Sequence, residues 1–512
     1  MRDFTTKLGL ILGASVLFCN ASAKNRLIIK YKPMIANSRA TNELPVLKKK
    51  FDSTVTMNKE MKLLKDSAMV EYVEVDTLLN TQQIEVQAFA NDSRYYEQWA
   101  LGTGDGGIEV SSAWNDTTGS SSIVVAVVDT GIRYHSDISS KILPGADLVS
   151  DATYANDGGG RDDDPSDPGD WVSYGDPCYQ GRSSNSSWHG THVAGIIAAS
   201  TNNNRGMAGV NWNAKIVPVR ALGKCGGFTS DIADAIKWAA GISVSGVSNN
   251  ANPADVINLS LGGAGPCSAY MQDAINQAKS RGAVVVVAAG NSSQNLDTNE
   301  FTPANCQGVL VVGSNTQNGY KSSFTNYGKV IDVSAPGGGN GSSVLSLGNT
   351  GSTTPGTDSY VYYSGTSMAA PHVAGIVSLM KSVNPSLYPD QLMALVKEAA
   401  KSFPWNSGCS EQSCGNGIAL AWRSVELALS ESADPNFRDE EDVLAGSAPL
   451  GSSTLNTTTG SGGLCGSVIY KGEFDSKNSN SDGSGPLSMM VLIILLGISF
   501  SGFAKFKIMG DS

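Results

Sequence analysis

Residues 365–371 read Gly-Thr-Ser-Met-Ala-Ala-Pro and stand just before an apolar run, residues 373–381, that predicts a helix. Ser367 would therefore lie at a helix N-terminus, where unpaired backbone N–H groups and the positive end of the helix dipole favour a developing anion. Gly365 allows the sharp backbone turn that such a placement needs. A serine at this position becomes a nucleophile only when a base, and a group that orients the base, lie nearby. Both partners have candidates upstream in the sequence.

Apolar runs alternate with helical patterns over most of the chain. Ile123–Val128 is a continuous apolar run, which is typical of a strand buried on both faces of a parallel sheet. Similar runs occupy residues 215–219, 256–259, 283–288 and 309–312, and helical patterns occupy residues 192–200, 231–240, 270–280 and 389–401. This alternation predicts an α/β fold with a mostly parallel sheet.

Composition and the two ends of the chain indicate export. The 512 residues carry a net charge of −11 and show no basic stripe, which argues against nucleic acid as a partner. Residues 1–23 resemble a secretory signal peptide, with two basic residues, an apolar run and an Ala-Ser-Ala cleavage site. Seven cysteines remain after its removal, and disulfides are expected in an oxidising compartment.

The C-terminal part has a different composition. Residues 431–485 are rich in Ser, Gly, Asn and Asp, which predicts a flexible acidic linker. Within the following segment, residues 486–507, Leu487–Ala504 contains no charged residue and is followed by two lysines. Its length and flanks predict a transmembrane helix.

Three polar residues upstream of Ser367 are candidates to act with it in one active site. Asp129 follows the buried run Ile123–Val128, His189 opens a small-residue helix pattern, and Asn291 follows another apolar run. The order Asp, His, Ser is one of the known arrangements in which a carboxylate orients an imidazole that activates a serine. The Asn291 amide could bind an oxyanion.

Five motifs carrying these residues resemble the signature blocks of the subtilisin-like serine proteases. The motifs are VVDTGI (127–132), HGTHVAG (189–195), INLSLGG (257–263), AAGN (288–291) and GTSMAAPHVAG (365–375). The resemblance runs from about residue 95 to 426. It implies a doubly wound sheet flanked by helices and peptide-bond hydrolysis through an acyl-enzyme. The implied triad is Asp129, His189 and Ser367, with Asn291 as oxyanion donor.

The same resemblance implies the residues that bind a peptide substrate. Two extended segments would pair with the substrate backbone, and small residues would form the wall of the pocket for the cleaved residue. The backbone-pairing residues are Ser260, Leu261, Gly262, Leu222 and Gly223, and the wall residues are Ala288, Ala289 and Gly290. The small, uncharged wall favours an apolar or aromatic side chain. Phe301 lies near the expected pocket floor, and nearby Glu300 leaves a basic preference open.

Residues 24–88 resemble the inhibitory propeptide of the same family, a small α+β module that acts as a folding chaperone. The predicted order is therefore a signal peptide (1–23), a propeptide (24–88), a catalytic domain (89–430), a linker (431–485) and a membrane-spanning or sorting helix (486–507). The tail resembles C-terminal sorting segments that bacterial intramembrane proteases remove, and a permanent anchor is the alternative. The enzyme would be secreted or held at the cell surface.

An acidic insertion lies between the first two triad candidates, in residues 157–170. Hard cations such as Ca²⁺ need six to eight oxygen ligands, and this segment is dense in them. The sequence predicts a structural Ca²⁺ site whose ligands include Asp162, Asp163, Asp164 and Asp167.

Six cysteines lie within the predicted catalytic domain. Cys178 and Cys225 are expected on loops around the cleft, and Cys267 and Cys306 bracket the strand before Asn291. Cys409 and Cys414 are close in sequence. The predicted pairs are Cys178–Cys225, Cys267–Cys306 and Cys409–Cys414, with Cys465 free in the linker.

Two other functions remain open at this point. A binding or adhesion protein could use an inactive protease scaffold, although the intact group of Asp129, His189, Ser367 and Asn291 disfavours it. A kexin-type processing protease would need a β-rich domain after the catalytic one, and residues 431–485 are too short and polar to form it.

Overall fold

The computed structural model describes residues 26–32, 47–50, 54–65, 67, 69–75, 89–176, 178, 183–339, 341–435 and 437. The predicted signal peptide and the predicted transmembrane helix lie outside these residues. Within the described part of the chain, no helix is long and apolar enough to cross a membrane.

A small α+β unit forms the described part of residues 24–88. Its antiparallel sheet has the strand order β2-β1-β3, with β1 at Arg26–Tyr31, β2 at Leu47–Lys50 and β3 at Val70–Val75. Helix α1, Thr54–Lys65, contacts β1 and β3. Four buried apolar side chains form its core, so the buried core is small: Leu27, Ile29, Val70 and Val73.

A seven-stranded parallel sheet lies at the centre of the remaining described residues. Eleven strands, seven in this sheet and four in two small sheets, follow in chain order: β4 (Val124–Asp129), β5 (Ala146–Asp147), β6 (Lys215–Arg220), β7 (Val256–Leu259), β8 (Gly263–Ala264), β9 (Val284–Ala288), β10 (Phe301–Thr302), β11 (Leu310–Asn315), β12 (Val333–Pro336), β13 (Val344–Asn349) and β14 (Asp358–Tyr363). The central order is β12-β11-β9-β7-β4-β6-β5. β8 pairs with β10, and β13 pairs with β14, both antiparallel.

Helices cover both faces of the central sheet. They are α2 (Val110–Ala113), α3 (Ala152–Ala155), α4 (His189–Ala198), α5 (Thr229–Ala239), α6 (Ala269–Ser280), α7 (Thr366–Val383), α8 (Pro389–Ala399), α9 (Glu411–Cys414) and α10 (Ala421–Ser430). Alternate residues of β4 point to opposite faces: Val125 and Val127 pack with α4 and α7, and Ala126 and Val128 pack with α5 and α6. The predicted doubly wound α/β fold is confirmed.

The sheet topology places functional residues at one edge. On one side of β4 lie β6 and then β5, and on the other side lie β7, β9, β11 and β12. In doubly wound sheets the crevice at such a reversal, outside the carboxyl ends of the strands, is where ligands bind. Asp129 is the last residue of β4 and lies at this point.

Helix α7 begins earlier than the sequence pattern predicts. The apolar run starts at Val373, whereas the helix starts at Thr366 and includes Pro371. Proline has no N–H, so the carbonyl oxygen of Ser367, four residues before it, has no helical donor at that position. This oxygen instead accepts a hydrogen bond from the Ser260 hydroxyl at 2.9 Å.

Three disulfides stabilise loops of the large unit. They join Cys178 to Cys225, Cys267 to Cys306 and Cys409 to Cys414, the same three pairs that the sequence analysis predicts. Cys465 lies outside the described residues.

Candidate active site

Asp129 and His189 form a hydrogen-bonded pair at the switch point of the sheet. The His189 Nδ1 atom lies 2.8 Å from Asp129 Oδ1 and 3.0 Å from Oδ2. Asp129 is fully buried, and 22% of the His189 side chain is exposed. The backbone N–H of Thr130 also donates to Asp129 Oδ1 at 2.8 Å, which fixes the carboxylate. A carboxylate in this position holds the imidazole with its other nitrogen, Nε2, free to act.

The charges around the imidazole favour its protonated form. Burial alone would lower the pKa of His189, but the Asp129 carboxylate outweighs burial and raises the pKa, with smaller contributions from Asp170 and Asp167. An imidazole that is stabilised as a cation is suited to accept a proton during a reaction.

Ser367 lies in the first turn of α7, beside the segment that follows β7. Its hydroxyl donates to the carbonyl oxygen of Ser260 at 3.1 Å. The two serines therefore hold each other through reciprocal hydrogen bonds. In this conformation the Ser367 proton points at Ser260 and not at His189, and substrate-free sites often show such loose geometry.

The Asn291 side chain is oriented by Thr366. Its Oδ1 atom accepts from the Thr366 backbone N–H at 2.8 Å and from the Thr366 hydroxyl at 2.9 Å. With Oδ1 used in this way, the amide nitrogen Nδ2 is the group left for a ligand. Asn291 and Ser367 line the same pocket.

A groove of about 570 Å³ passes His189 and contains both predicted backbone-pairing segments. Leu222 and Gly223 line it on one side, and Ser260, Leu261 and Gly262 line it on the other. The structure thus brings together the five residues that the sequence analysis assigns to substrate backbone pairing.

The adjoining pocket corresponds to the predicted site for the cleaved residue. Ala288 and Gly290 line it, but Ala289 does not: alternation along the chain turns Ala289 into the core below the sheet, where it is fully buried. The Phe301 ring also lines the pocket and packs against Gly262 and Gly290, since a Cβ added to either glycine would lie 2.5 Å from the ring. Glu300 is exposed and does not line the pocket.

The predicted Ca²⁺ site is not supported, because the four aspartates are used separately. Asp163 accepts two hydrogen bonds from Ser248, and Asp167 is buried with its carboxylate bonded to Thr130 and Gly169. Asp162 and Asp164 cap backbone N–H groups of their own loop. Among the described residues, no three His, Cys, Asp or Glu side chains gather in a way that could hold a metal ion.

Thr130 and Asp170 are functional candidates that the sequence does not predict, and Asp167, predicted as a Ca²⁺ ligand, has a different role in the structure. Thr130 donates from its hydroxyl to Asp167 at 2.8 Å and accepts from the Gly190 N–H at 3.1 Å, so it connects Asp167 to the start of α4. Asp170 lines the groove beside His189. The only sequence signal for these roles was the DTG motif that contains Thr130, because the contacts of Asp167 and Asp170 depend on how the insertion folds back.

The comparisons with known proteins agree with this geometry. The model of the subtilase family matches residues 120–417, which is more than half of the chain. The chain belongs to the subtilase family. An extracellular protease from Xanthomonas campestris pv. campestris is 51% identical to this subtilase over 372 residues, which are 72% of this chain and 61% of the relative.

Other relatives show the same pattern. An extracellular basic protease from Dichelobacter nodosus is 41% identical over 71% of this subtilase and 59% of the relative. This chain therefore matches about three fifths of the length of these two relatives. A solved structure described as proteases from Pseudoalteromonas arctica PAMC 21717 is 52% identical, with a TM-score of 0.63, and covers 67% of this chain and 100% of that one.

Proposed function

We propose that this subtilase is an exported serine endopeptidase that hydrolyses peptide bonds through an acyl-enzyme. The observation that carries the proposal is the Asp129–His189 hydrogen bond of 2.8 Å at the groove that adjoins the Ser367 pocket. The names of the relatives, extracellular proteases, support export and proteolysis.

Ser367 is the proposed nucleophile. When a peptide carbonyl enters, the hydroxyl leaves Ser260, His189 Nε2 accepts its proton, and the oxygen attacks the carbonyl carbon. The imidazolium that forms is stabilised by buried Asp129 and then donates the proton to the leaving amine. Water attacks the acyl-enzyme with His189 again as base, and Ser367 is regenerated.

The oxyanion of each tetrahedral intermediate would be bound by two donors. One is the Asn291 amide nitrogen, whose direction is fixed by Thr366. The other is the backbone N–H of Ser367, which lies in the first turn of α7, where N–H groups have no intrahelical acceptor. Preorganised donors of this kind stabilise charge as it develops.

Substrate would bind as an extended strand between the Leu222–Gly223 segment and the Ser260–Gly262 segment. Its cleaved residue would enter the pocket between Ala288 and Gly290 and end on the Phe301 ring. The described residues lining this pocket carry no charge, so we expect an apolar side chain there.

Maturation and export complete the proposal. Residues 24–88 would inhibit the enzyme until cleavage near residues 87–91, and residues 1–23 would direct export. The linker and the C-terminal segment, with removal by a sorting protease or retention as an anchor, stay predictions.

The test compares Ser367→Ala with a matched serine variant of the same helix. Ser382 donates within α7 to Ser378 at 2.7 Å and lies far along the helix from Ser367. We expect Ser367→Ala to abolish casein hydrolysis and propeptide removal, and Ser382→Ala to retain both. Full activity of purified Ser367→Ala would contradict the proposal.

A further inference from the structure

The acidic insertion ends in a rigid segment that reaches the groove. Asp167 is 1% exposed and accepts hydrogen bonds from Thr130 and from the Gly169 N–H at 2.8 Å each. Gly169 has φ +105° and packs so closely that an added Cβ would lie 2.1 Å from the Thr353 carbonyl oxygen. These contacts fix the position of the next residue, Asp170.

Asp170 is held through its side chain and through the backbone on either side of it. Its carboxylate accepts from the Ser187 N–H at 2.6 Å and from the Ser187 hydroxyl at 2.7 Å. The Asn156 amide donates to the carbonyl oxygens of Gly169 and Trp171, the neighbours of Asp170 in sequence, at 3.0 and 3.1 Å. A carboxylate has about four acceptor positions, so two hydrogen bonds leave capacity for a further donor.

Asp170 is the acidic side chain of the groove. Thr130, His189 and Leu222 line the groove together with Asp170. The described residues that line the groove include no lysine or arginine. This carboxylate also acts on the imidazole: burial lowers the pKa of His189, whereas Asp129 and, to a smaller extent, Asp170 raise it. Within the described part of the groove, the fixed negative charge of Asp170 therefore lies near His189 without a lysine or arginine beside it.

The direction of the bound substrate identifies which residue meets this charge. Successive side chains of an extended strand point to opposite sides. If the cleaved residue enters the pocket of Ala288 and Gly290, the residue before it points away from that pocket, towards His189 and Leu222.

We propose that Asp170 makes this protease selective for lysine or arginine at the residue immediately before the cleaved one. This inference rests on the proposed function. The aliphatic stem of such a side chain can pack on Leu222, while its cationic end reaches the carboxylate. Because Asp170 is half-buried, the ion pair is expected to favour a lysine peptide about fivefold over a neutral one.

The experiment uses peptide p-nitroanilides that differ only at this position. Lysine is compared with norleucine, which has a similar stem without the charge, and with glutamate; the cleaved residue is leucine throughout. The measured quantity is the ratio of kcat/KM for the lysine and norleucine peptides. The matched variants are Asp170→Asn, which preserves the shape and can still accept from Ser187, and Asp164→Asn, which removes an equal charge from an exposed part of the same insertion.

We expect a lysine-to-norleucine ratio of about five in the native enzyme and in Asp164→Asn, and of about one in Asp170→Asn. The glutamate peptide should be the slowest with the native enzyme, and the lysine preference should fall at high salt because screening weakens an ion pair.

A ratio near one in the native enzyme, with ready hydrolysis of the norleucine peptide, would overturn this inference and leave the proposed function intact. A lysine preference that persists in Asp170→Asn would overturn it as well. Failure of native enzyme to hydrolyse any of the peptides, or casein, would instead overturn the proposed function.

Discussion

Removal of the Cys267–Cys306 disulfide should weaken the fold and the substrate pocket together. The bridge joins residues 39 positions apart. It lies beside the paired strands β8 and β10, which contribute Gly263, Ala264 and Phe301 to the pocket. Replacement of both cysteines by alanine removes the bridge without adding a polar group to the core, where Cys306 is 6% exposed.

The expected magnitude follows from loop length. A cross-link stabilises chiefly by restricting the unfolded chain, and the chain-entropy relation gives about 4 kcal/mol for a separation of 39 residues. The same relation gives about 2 kcal/mol for Cys409–Cys414, which are five positions apart. For a domain of this size, we expect Tm to fall by about 6 °C and about 3 °C, respectively.

The assay measures thermal and urea unfolding of both double-alanine variants without reductant. All proteins carry Ser367→Ala, so that self-digestion does not distort the transition. Cys409→Ala/Cys414→Ala is the matched control because it removes the same covalent bond from a short loop. Equal losses in the two variants, or a larger loss in the control, would refute the loop-length reasoning.

Three further predictions follow from charges and contacts. Arg220→Met should lower the free energy of unfolding by about 3–5 kcal/mol at alkaline pH, because the buried guanidinium binds Asp147 and Asp157. Burial raises the pKa of Asp147 to about 7. Urea titrations should therefore show a smaller loss of unfolding free energy below about pH 7, where the Asp147 carboxyl is neutral. Phe301→Ala should deepen the pocket and raise kcat/KM for phenylalanine relative to alanine at the cleaved residue, and an unchanged ratio would exclude Phe301 as the floor. The acid limb of the pH profile of kcat/KM should have its midpoint above the ordinary pKa of histidine, because the pKa of His189 is raised and the neutral imidazole is the active form. Asp170→Asn should shift this midpoint to lower pH. An unshifted midpoint would show that the Asp170 charge does not act on His189.

The buried strands were predictable because their environment leaves a simple pattern. Val256–Leu259 is a strand with the predicted bounds, and the runs at 283–288 and 309–312 are wrong by only a few residues at their ends. Strand β14, Asp358–Tyr363, was not predicted because it is an exposed or half-buried member of a two-stranded sheet and lacks an apolar alternation. Strands β12 and β13 are buried as well but are not predicted, because serine, proline or glycine interrupts their apolar residues. An uninterrupted apolar run, and not burial alone, is what makes a strand recognisable.

The candidate site was predictable where a residue type is sufficient for its role. Asp129 and His189 lie together, as their order in the sequence suggests. Asp129 is the last residue of β4 and His189 is the first residue of α4, and both positions lie at the same edge of the sheet. That the aspartates of the insertion share one cation stays a prediction, which their hydrogen bonds do not support. Sequence shows that oxygen ligands are numerous, but only the fold shows that Asp163 and Asp167 point to different partners.

Covalent labelling of Ser367 tests the central claim most directly. A serine-directed phosphonate is incubated with the native enzyme and with His189→Ala, and the modified residue is identified by peptide mass analysis. We expect one adduct, on Ser367, formed at least about a hundredfold more slowly without His189 because the base is missing. An adduct on another serine, or equal rates in the two proteins, would contradict the account.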